Sequence, residues 1–261
     1  MNTKNLAIAA FVTLALAACK KDEEPTPIPT PPAATTGTVR LSMEIMNGMT
    51  PFDINTAYTD GAGNAIRFTT LKFYMSGTYV TNDAGTTTGS FPSTFILVDA
   101  AQADMNTFTL GTLAAGHVNE LHFTLGLDDA TNRADPTVAA YPLNIPGMHW
   151  SWNPTAGYKF MNMEGFVDVN GNGTFEAGTD VSFTYHCAQN EAQAAAAPVL
   201  RQSDIHVHSD LGVGQTLTME AKLDVVALLA GVDLLATPVA MGNGAGNQLL
   251  MDNLVTAIST H

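Results

Sequence analysis

Apolar and polar residues alternate with a period of two in several short segments of the chain. The clearest segments are 39–45, 121–125, 181–185 and 217–223. In the first, Val39, Leu41, Met43 and Ile45 alternate with polar residues, which predicts a strand with one buried face. Turn-forming Gly, Asn and Asp residues lie between such segments, at 60–64, 82–85 and 170–173. We therefore predict an all-β fold, a single-domain antiparallel β-sandwich with few short helices.

Helical patterns are few. Residues 248–258 place Leu250, Leu254 and Ile258 on one stripe, which predicts a C-terminal helix packed on the sheet. Residues 224–235 are apolar on most sides and fit a strand, a buried helix or both. The Ala-rich run at 192–197 precedes a proline, and we interpret it as a loop or a single turn.

The first 18 residues have the pattern of a secretory signal. Lys4 precedes an apolar run at 6–17 that is too short to span a bilayer. The run ends in Leu-Ala-Ala-Cys, which resembles a bacterial lipoprotein box. We therefore expect residues 1–18 to be removed and Cys19 to carry a lipid anchor in the membrane.

Residues 19–36 begin with a short charged cluster and continue as a Pro- and Thr-rich stretch, which predicts an extended tether. The folded domain then comprises residues 37–261. These features predict an outer-membrane lipoprotein that faces the periplasm or the cell surface. Lipidation of Cys19 leaves Cys187 without a partner for an intramolecular disulfide.

The composition excludes two classes of protein. A hydrophobic content of 46% excludes an intrinsically disordered chain. With 10 Lys and Arg against 24 Asp and Glu, the net charge is −14, so we expect no nucleic-acid partner. The sequence contains no nucleophile elbow, P-loop or His-Glu-x-x-His motif and does not predict an enzyme.

His206 and His208 are the first candidate ligands. Side chains two residues apart lie on the same face of a strand, where two imidazoles can chelate one Zn, Cu, Ni or Fe ion. The alternative is a pair of solvated histidines on a polar face.

A second candidate site surrounds the two tryptophans of the chain, Trp150 and Trp152. They follow Met148 and His149, and a thioether beside an imidazole favours copper. The alternative is that the indole rings serve as core or interface anchors.

The loop from Asp168 to Glu176 begins like a calcium-binding loop. Oxygen-bearing side chains occupy its first, third and fifth positions, and a glycine occupies the sixth. Thr179 stands at the twelfth position, where such loops carry a bidentate Glu. We therefore keep both readings open, an acidic turn and a calcium site.

Segments 147–152 and 157–160, read together as Gly-Met-His-Trp-Ser-Trp and Gly-Tyr-Lys-Phe, resemble the MbnP-like copper-binding family, named for a partner of methanobactin operons. Further similarities occur in order along 38–261. Residues 183–186 resemble the family's aromatic-x-aromatic-His strand, and residues 251–254 resemble its C-terminal Asp-Asn helix.

The resemblance implies a β-sandwich that binds copper through histidines, with His186 as a ligand. In some members a tryptophan is oxidised to kynurenine, here Trp150 or Trp152, and a di-haem peroxidase-like partner is encoded alongside. Arg133 stands where some members carry a histidine, and a guanidinium stays protonated and does not ligate. His149, where many relatives carry an aromatic residue, is the candidate replacement.

We therefore expect a lipid-anchored extracytoplasmic copper-binding protein rather than an enzyme. Its predicted ligands are His149 and His186, with Met148 nearby and His206 and His208 in reserve. The sequence leaves one alternative open: a surface module, without a metal or stabilised by calcium, that binds a protein or glycan through the tryptophan cluster.

Overall fold

Two β-sheets account for most of the secondary structure in the computed structural model, which describes residues 35–102, 106–150 and 157–261. Strands make up 48% and helices 14%, and the sheets do not close into a barrel. The strands are β1 (Thr36–Asn47), β2 (Thr50–Pro51), β3 (Tyr58–Thr59), β4 (Ala65–Thr81), β5 (Thr87–Phe91), β6 (Ile96–Asp99), β7 (Thr107–Ala114), β8 (Gly116–Leu125), β9 (Met161–Val167), β10 (Val181–Cys187), β11 (Arg201–Leu211), β12 (Thr216–Asp224), β13 (Val239–Gly242) and β14 (Ile258–Thr260). The helices are α1 (Asp129–Asn132), α2 (Glu191–Ala196), α3 (Val225–Leu228) and α4 (Ala245–Ala257). The predicted all-β class with few short helices is confirmed.

The smaller sheet has the order β14-β12-β1-β2, and β7 also pairs with β1. The apolar row of β1 is buried as its alternation predicts, with Val39 and Leu41 fully inaccessible to solvent. β1 and β12 run parallel, as do β10 and β13, so both sheets are mixed rather than purely antiparallel.

The larger sheet is built on the long strand β4. Along one edge of β4, its first half pairs with β9 and its second half pairs with β8. Tyr74 marks the junction, since its N–H donates to Phe160 O (2.9 Å) and its carbonyl accepts from Gly126 N (2.8 Å). β11 pairs with β8, while β10 and β13 extend the sheet beyond β9. The sheet therefore has two branches, β8–β11 and β9–β10–β13. The chain leaves one branch and returns to the other between Gly126 and Phe160.

The apolar faces of both sheets and of α4 share one hydrophobic core. Leu250 and Leu254 of α4 are fully buried in it, which confirms the predicted C-terminal helix. Ile258 begins β14 instead of continuing the helix, because the chain there pairs with Leu223. None of the helices in the described ranges is both long and apolar enough to cross a membrane.

Two segments left open by the sequence form short helices. Within 224–235, α3 begins after Asp224, whose carboxylate accepts a hydrogen bond from Val226 N (2.9 Å). The Ala-rich run lies in α2, which is six residues long and exceeds the single turn expected. A reciprocal capping box between Asn190 and Gln193 satisfies the first N–H groups of α2 and stabilises it.

Candidate metal centre

Trp150 is held by a short antiparallel pairing at the end of the β8–β9 connection. Lys159 N donates to Met148 O (2.8 Å), and Trp150 N donates to Gly157 O (3.2 Å). Because side chains alternate along an extended chain, Met148 and Trp150 are buried while His149 between them is only half-buried. Trp152, also predicted to belong to the site, lies outside the described residues.

Gly157 allows this pairing to approach α1. Its φ is +70°, and a Cβ atom at this position would lie 2.3 Å from Asn132 Oδ1. The same Oδ1 accepts a hydrogen bond from Tyr158 N (2.8 Å), and Asn132 Nδ2 donates to Gln189 O (2.8 Å). Asn132 thereby joins the Trp150 segment to the chain that follows β10.

Trp150 meets His186 on the outer face of β10. The two ring centroids lie 5.7 Å apart, with an angle of 83° between the planes. His186 Nε2 lies 2.6 Å from Oε1 of Glu164 on β9, and the His186 side chain is 14% exposed. The structure therefore brings together one indole, one imidazole and one carboxylate.

Charge fixes the hydrogen-bonding roles in this group. The hydrogen bond from His186 holds the pKa of Glu164 below its ordinary value, against the opposing effect of burial. An ionised carboxylate only accepts, so Nε2 donates in this hydrogen bond and Nδ1 is the ring nitrogen left to act as a ligand. Burial lowers the pKa of nearby Lys159, and the Glu164 charge opposes that shift.

His149 contacts a different neighbour from His186. Its ring lies 6.3 Å from that of Tyr158, and none of the contacts between described residues joins it to His186. His149, Trp150, Tyr158 and Asp135 line a cavity of about 170 Å³. Burial, with a smaller effect of Asp135, raises the pKa of Tyr158. The buried Tyr158 hydroxyl has no hydrogen-bond partner within the described ranges.

Met148 lies entirely within the hydrophobic core. Glu164 was missed by sequence reasoning. The one signal available was a carboxylate, the only charged side chain of segment 161–167, at a less buried position.

His206 and His208 both face outward from β11, as their spacing predicts, but they belong to different groups. His208 lies with Asp83 and His117, and His206 lies with Glu120 and Asp204; in each group the potential ligand atoms are within 4.8 Å of one another. The His206 and His208 rings are 6.0 Å apart and nearly parallel. The sequence did not indicate Asp83, His117 and Glu120, since they come from the turn after β4 and from β8. Asp204 lies on β11 two residues before His206, and the two-residue spacing could have indicated it.

The loop after β9 gives the calcium prediction no support. Asp168 accepts hydrogen bonds from Gly171 N (2.7 Å) and Gly173 N (2.9 Å), and these bonds lower the pKa of its carboxyl group. Asn172 Oδ1 accepts from Thr174 N (2.8 Å). Backbone N–H groups of the loop thus form hydrogen bonds with the side-chain oxygen atoms that were the candidate calcium ligands. This arrangement is that of an acidic turn, the alternative interpretation of the sequence.

The two cysteines fall in different parts of the chain. Cys19, the predicted lipid attachment site, lies outside the described residues. Cys187 is a free, fully buried thiol at the end of β10.

Comparison with known proteins adds to this geometry. The family model MbnP matches residues 36–243, which is most of the chain. The solved structure of MbnP from Methylosinus trichosporium superposes with a TM-score of 0.53 and 17% sequence identity, covering 80% of this chain and 82% of that one. No curated protein shows a significant match to the chain.

Proposed function

The chain belongs to the MbnP family, and from that premise we propose that it binds copper, with His186 as an imidazole ligand beside Trp150. The observation that carries the proposal is the His186–Glu164 pair against the Trp150 ring. A metal-binding histidine ordinarily donates its other ring N–H to a carboxylate or carbonyl, which fixes the ring and makes the ligating nitrogen more basic. Glu164 supplies that acceptor at 2.6 Å.

The residues at this position fit a copper ion. Imidazole is a good copper ligand, and the His186 side chain is sheltered yet 14% exposed, which permits access. The Trp150 ring and the neighbouring apolar groups lower the local polarity and strengthen the interaction between ligand and ion. Copper bound here would supply redox-active chemistry, while the chain's own residues orient the ligand and limit the access of water.

His149 is the proposed second imidazole. It lines the same cavity as Trp150, Asp135 and Tyr158. Asp135 accepts hydrogen bonds from Thr137 N (2.8 Å) and Thr137 Oγ1 (2.7 Å), which holds its carboxylate in a fixed orientation at the cavity. A ligand entering this cavity reaches one imidazole and one carboxylate.

The remaining features of the proposal come from the sequence and from the family. We propose a lipid anchor at Cys19, an extracytoplasmic location at the outer membrane, and a role in copper handling rather than catalysis. Oxidation of Trp150 or Trp152 to kynurenine by a di-haem peroxidase-like partner, and an association with methanobactin, belong to the same proposal. Peptide mapping of protein from its copper-supplemented native host tests the modification.

The copper site is tested by titrating the purified, metal-free full chain with Cu⁺ against a chromophoric competitor. We expect His186→Ala to weaken binding at least about tenfold, since even outer partners of metal ligands contribute that much. His149→Phe should also weaken binding. Unchanged affinity in His186→Ala, or a wild-type chain that takes up no copper, would overturn the proposal.

His122 offers a matched control for His186. It also pairs through Nε2 with a glutamate, Glu120, at 3.1 Å, and it also contacts an aromatic ring, that of Tyr79, at 4.6 Å. His122→Ala therefore removes the same kind of pair from the other branch of the sheet. Copper affinity should be unchanged in this variant.

A further inference from the structure

The outer face of the β8–β11 branch carries a row of histidines and carboxylates. On β11, Asp204, His206, His208 and Asp210 all point outward. Opposite them on β8, His122 is in register with Asp204, Glu120 with His206, and His117 with Asp210. The row is far from His186, which Trp150 contacts. His186 pairs with Asn162 of β9, which pairs with Lys72 of β4, whereas Glu120 pairs with Thr81 of β4. Thr81 lies nine residues after Lys72 along β4. At about 3.3 Å per residue this is roughly 30 Å.

His117 is held between two carboxylates, one at each ring nitrogen. Its Nδ1–H donates to Asp210 Oδ1 at 2.8 Å, and its Nε2 lies 3.4 Å from Asp83 Oδ1. With the proton of the neutral ring on Nδ1, the lone pair is on Nε2, on the side of Asp83. Asp210 is thus placed like the carboxylates that orient metal-bound histidines.

His208 completes the group from an irregular position in β11. The β8–β11 register shifts between His206 and Ser209, and His208 has a φ of +44°, in the left-handed region. Bulges of this kind redirect side chains relative to a regular ladder. The His208 ring lies 6.2 Å from the His117 ring, and its potential ligand atom lies within 4.8 Å of those of His117 and Asp83.

We propose that Asp83, His117 and His208 form a second metal site, which takes a divalent first-row transition cation such as Zn²⁺. Two imidazoles and one carboxylate are a ligand set that suits Zn²⁺. Ligand atoms about 2.1 Å from one ion lie no more than about 4.2 Å apart, so small side-chain rotations close the present spacing. The net charge of −14 raises the local concentration of cations around the protein.

The adjoining cleft leaves the fourth coordination position open. Asp83 and His117 line a cleft of about 490 Å³ between the turn after β4 and the turn before β8. A water molecule or an anionic ligand can therefore reach the ion from this side, as in zinc sites that have three protein ligands.

The neighbouring group, Glu120, Asp204 and His206, is the weaker candidate. It has a single imidazole, and Glu120 also pairs with His122 at 3.1 Å. One imidazole with two carboxylates holds a transition cation less selectively than two imidazoles with one. We therefore assign the ion to the group that contains His117.

The test is calorimetric titration of the full chain with Zn²⁺, using protein purified without a polyhistidine tag and stripped of metals. We expect one ion per chain. His117→Ala, Asp83→Ala and His208→Gly should each weaken binding at least about tenfold. Glycine is chosen at 208 because it accepts the positive φ and carries no ligand atom.

Asp210 is a positioning residue, and its role is separable from folding. Asp210→Ala should weaken Zn²⁺ binding about 10- to 100-fold, and Asp210→Asn should restore part of it, since the amide oxygen still accepts from Nδ1–H. His122→Ala is the control, and it should bind Zn²⁺ as the wild type does. Wild-type affinity in the His117→Ala/His208→Gly double variant, no binding by the wild type, or a loss that follows His206→Ala instead would overturn the assignment.

Discussion

Nε2 of His186 lies 2.6 Å from Oε1 of Glu164, and the two residues stand on adjacent strands of the β9–β10 pair. The register places Asn162, not Glu164, directly opposite His186, so the contact is diagonal. A diagonal contact is within reach of long side chains on one face of an antiparallel pair. The fold therefore fixes both the ring orientation and the side from which Trp150 approaches.

Removing the Glu164 charge should weaken copper binding even though Glu164 is not a ligand. Glu164→Gln keeps the shape of the side chain but gives up the ionised acceptor, so we expect copper affinity to fall about 10- to 100-fold. Competitive titration with Cu⁺ measures the change. The matched variant is Glu120→Gln, which removes the same charge from His122 and should leave copper affinity unchanged. Equal losses in both variants would contradict a specific role for Glu164.

Gly157→Ala should destabilise the segment that carries Trp150. The new methyl group would meet Asn132 Oδ1 at 2.3 Å, and the φ of +70° is unfavourable for alanine. Overpacking and backbone strain together should cost at least about 2 kcal/mol of unfolding free energy. Gly147→Ala is the control in the same segment, because a Cβ there meets nothing within 4 Å. Urea denaturation of both variants measures the difference.

Local periodicity predicted the strands well because a buried face imposes a period of two on each strand by itself. The rows in β1 and β10 illustrate this: Phe183 and Tyr185 are buried, and His186 faces outward. Pairing was not predictable in the same way. The parallel partnership of β1 with β12 joins segments that are about 180 residues apart, and nothing in either segment specifies it.

The residues of the candidate sites also differ in whether local sequence or strand pairing brings them to notice. Sequence reasoning named His208 from residue type and spacing, and it named His186 from a segment that resembles the family's aromatic-x-aromatic-His strand. It missed Glu164, Asp83 and His117, which become neighbours only through strand register and turn placement. The bulge beside His208 arises from pairing with β8 and has no local signal in the sequence around it.

Cys187 should resist thiol reagents while the protein is folded. The side chain is completely buried, and burial raises the pKa of its thiol. The positive charge of Arg201 has a smaller effect in the opposite direction. The reactive thiolate is therefore scarce and inaccessible. Alkylation followed by mass spectrometry of the Cys187 peptide should show little modification in buffer and complete modification in concentrated urea. Rapid labelling in buffer would contradict the packing at the end of β10.

A buried aspartate ties the turn between β3 and β4 to the chain after α3. Asp60 is 6% exposed, and its carboxylate accepts hydrogen bonds from Leu234 N (2.8 Å), Asn64 N (2.8 Å) and Ala62 N (3.0 Å). Burial alone would raise the pKa of Asp60, but these bonds and one from the Asn64 side chain lower it below its ordinary value of 3.8. The ionised form is thus favoured in the folded state.

Asp60 should therefore make the stability of the protein depend on pH in the acid range. A carboxyl group whose pKa is lowered by folding contributes stability above its unfolded pKa and loses it as the pH falls through the folded value. Asp60→Asn should cost about 1–3 kcal/mol at neutral pH, since it weakens hydrogen bonds to buried donors. The difference from the wild type should shrink as the pH falls below about 4, where the unfolded chain binds a proton at Asp60 while the folded chain still favours the ionised form. Asp53→Asn, at an exposed aspartate that accepts from Asn55 N, is the control and should change stability by no more than about 0.5 kcal/mol. Urea denaturation at pH 7 and pH 3 measures both variants, and a constant difference for Asp60→Asn at the two pH values would contradict the linkage.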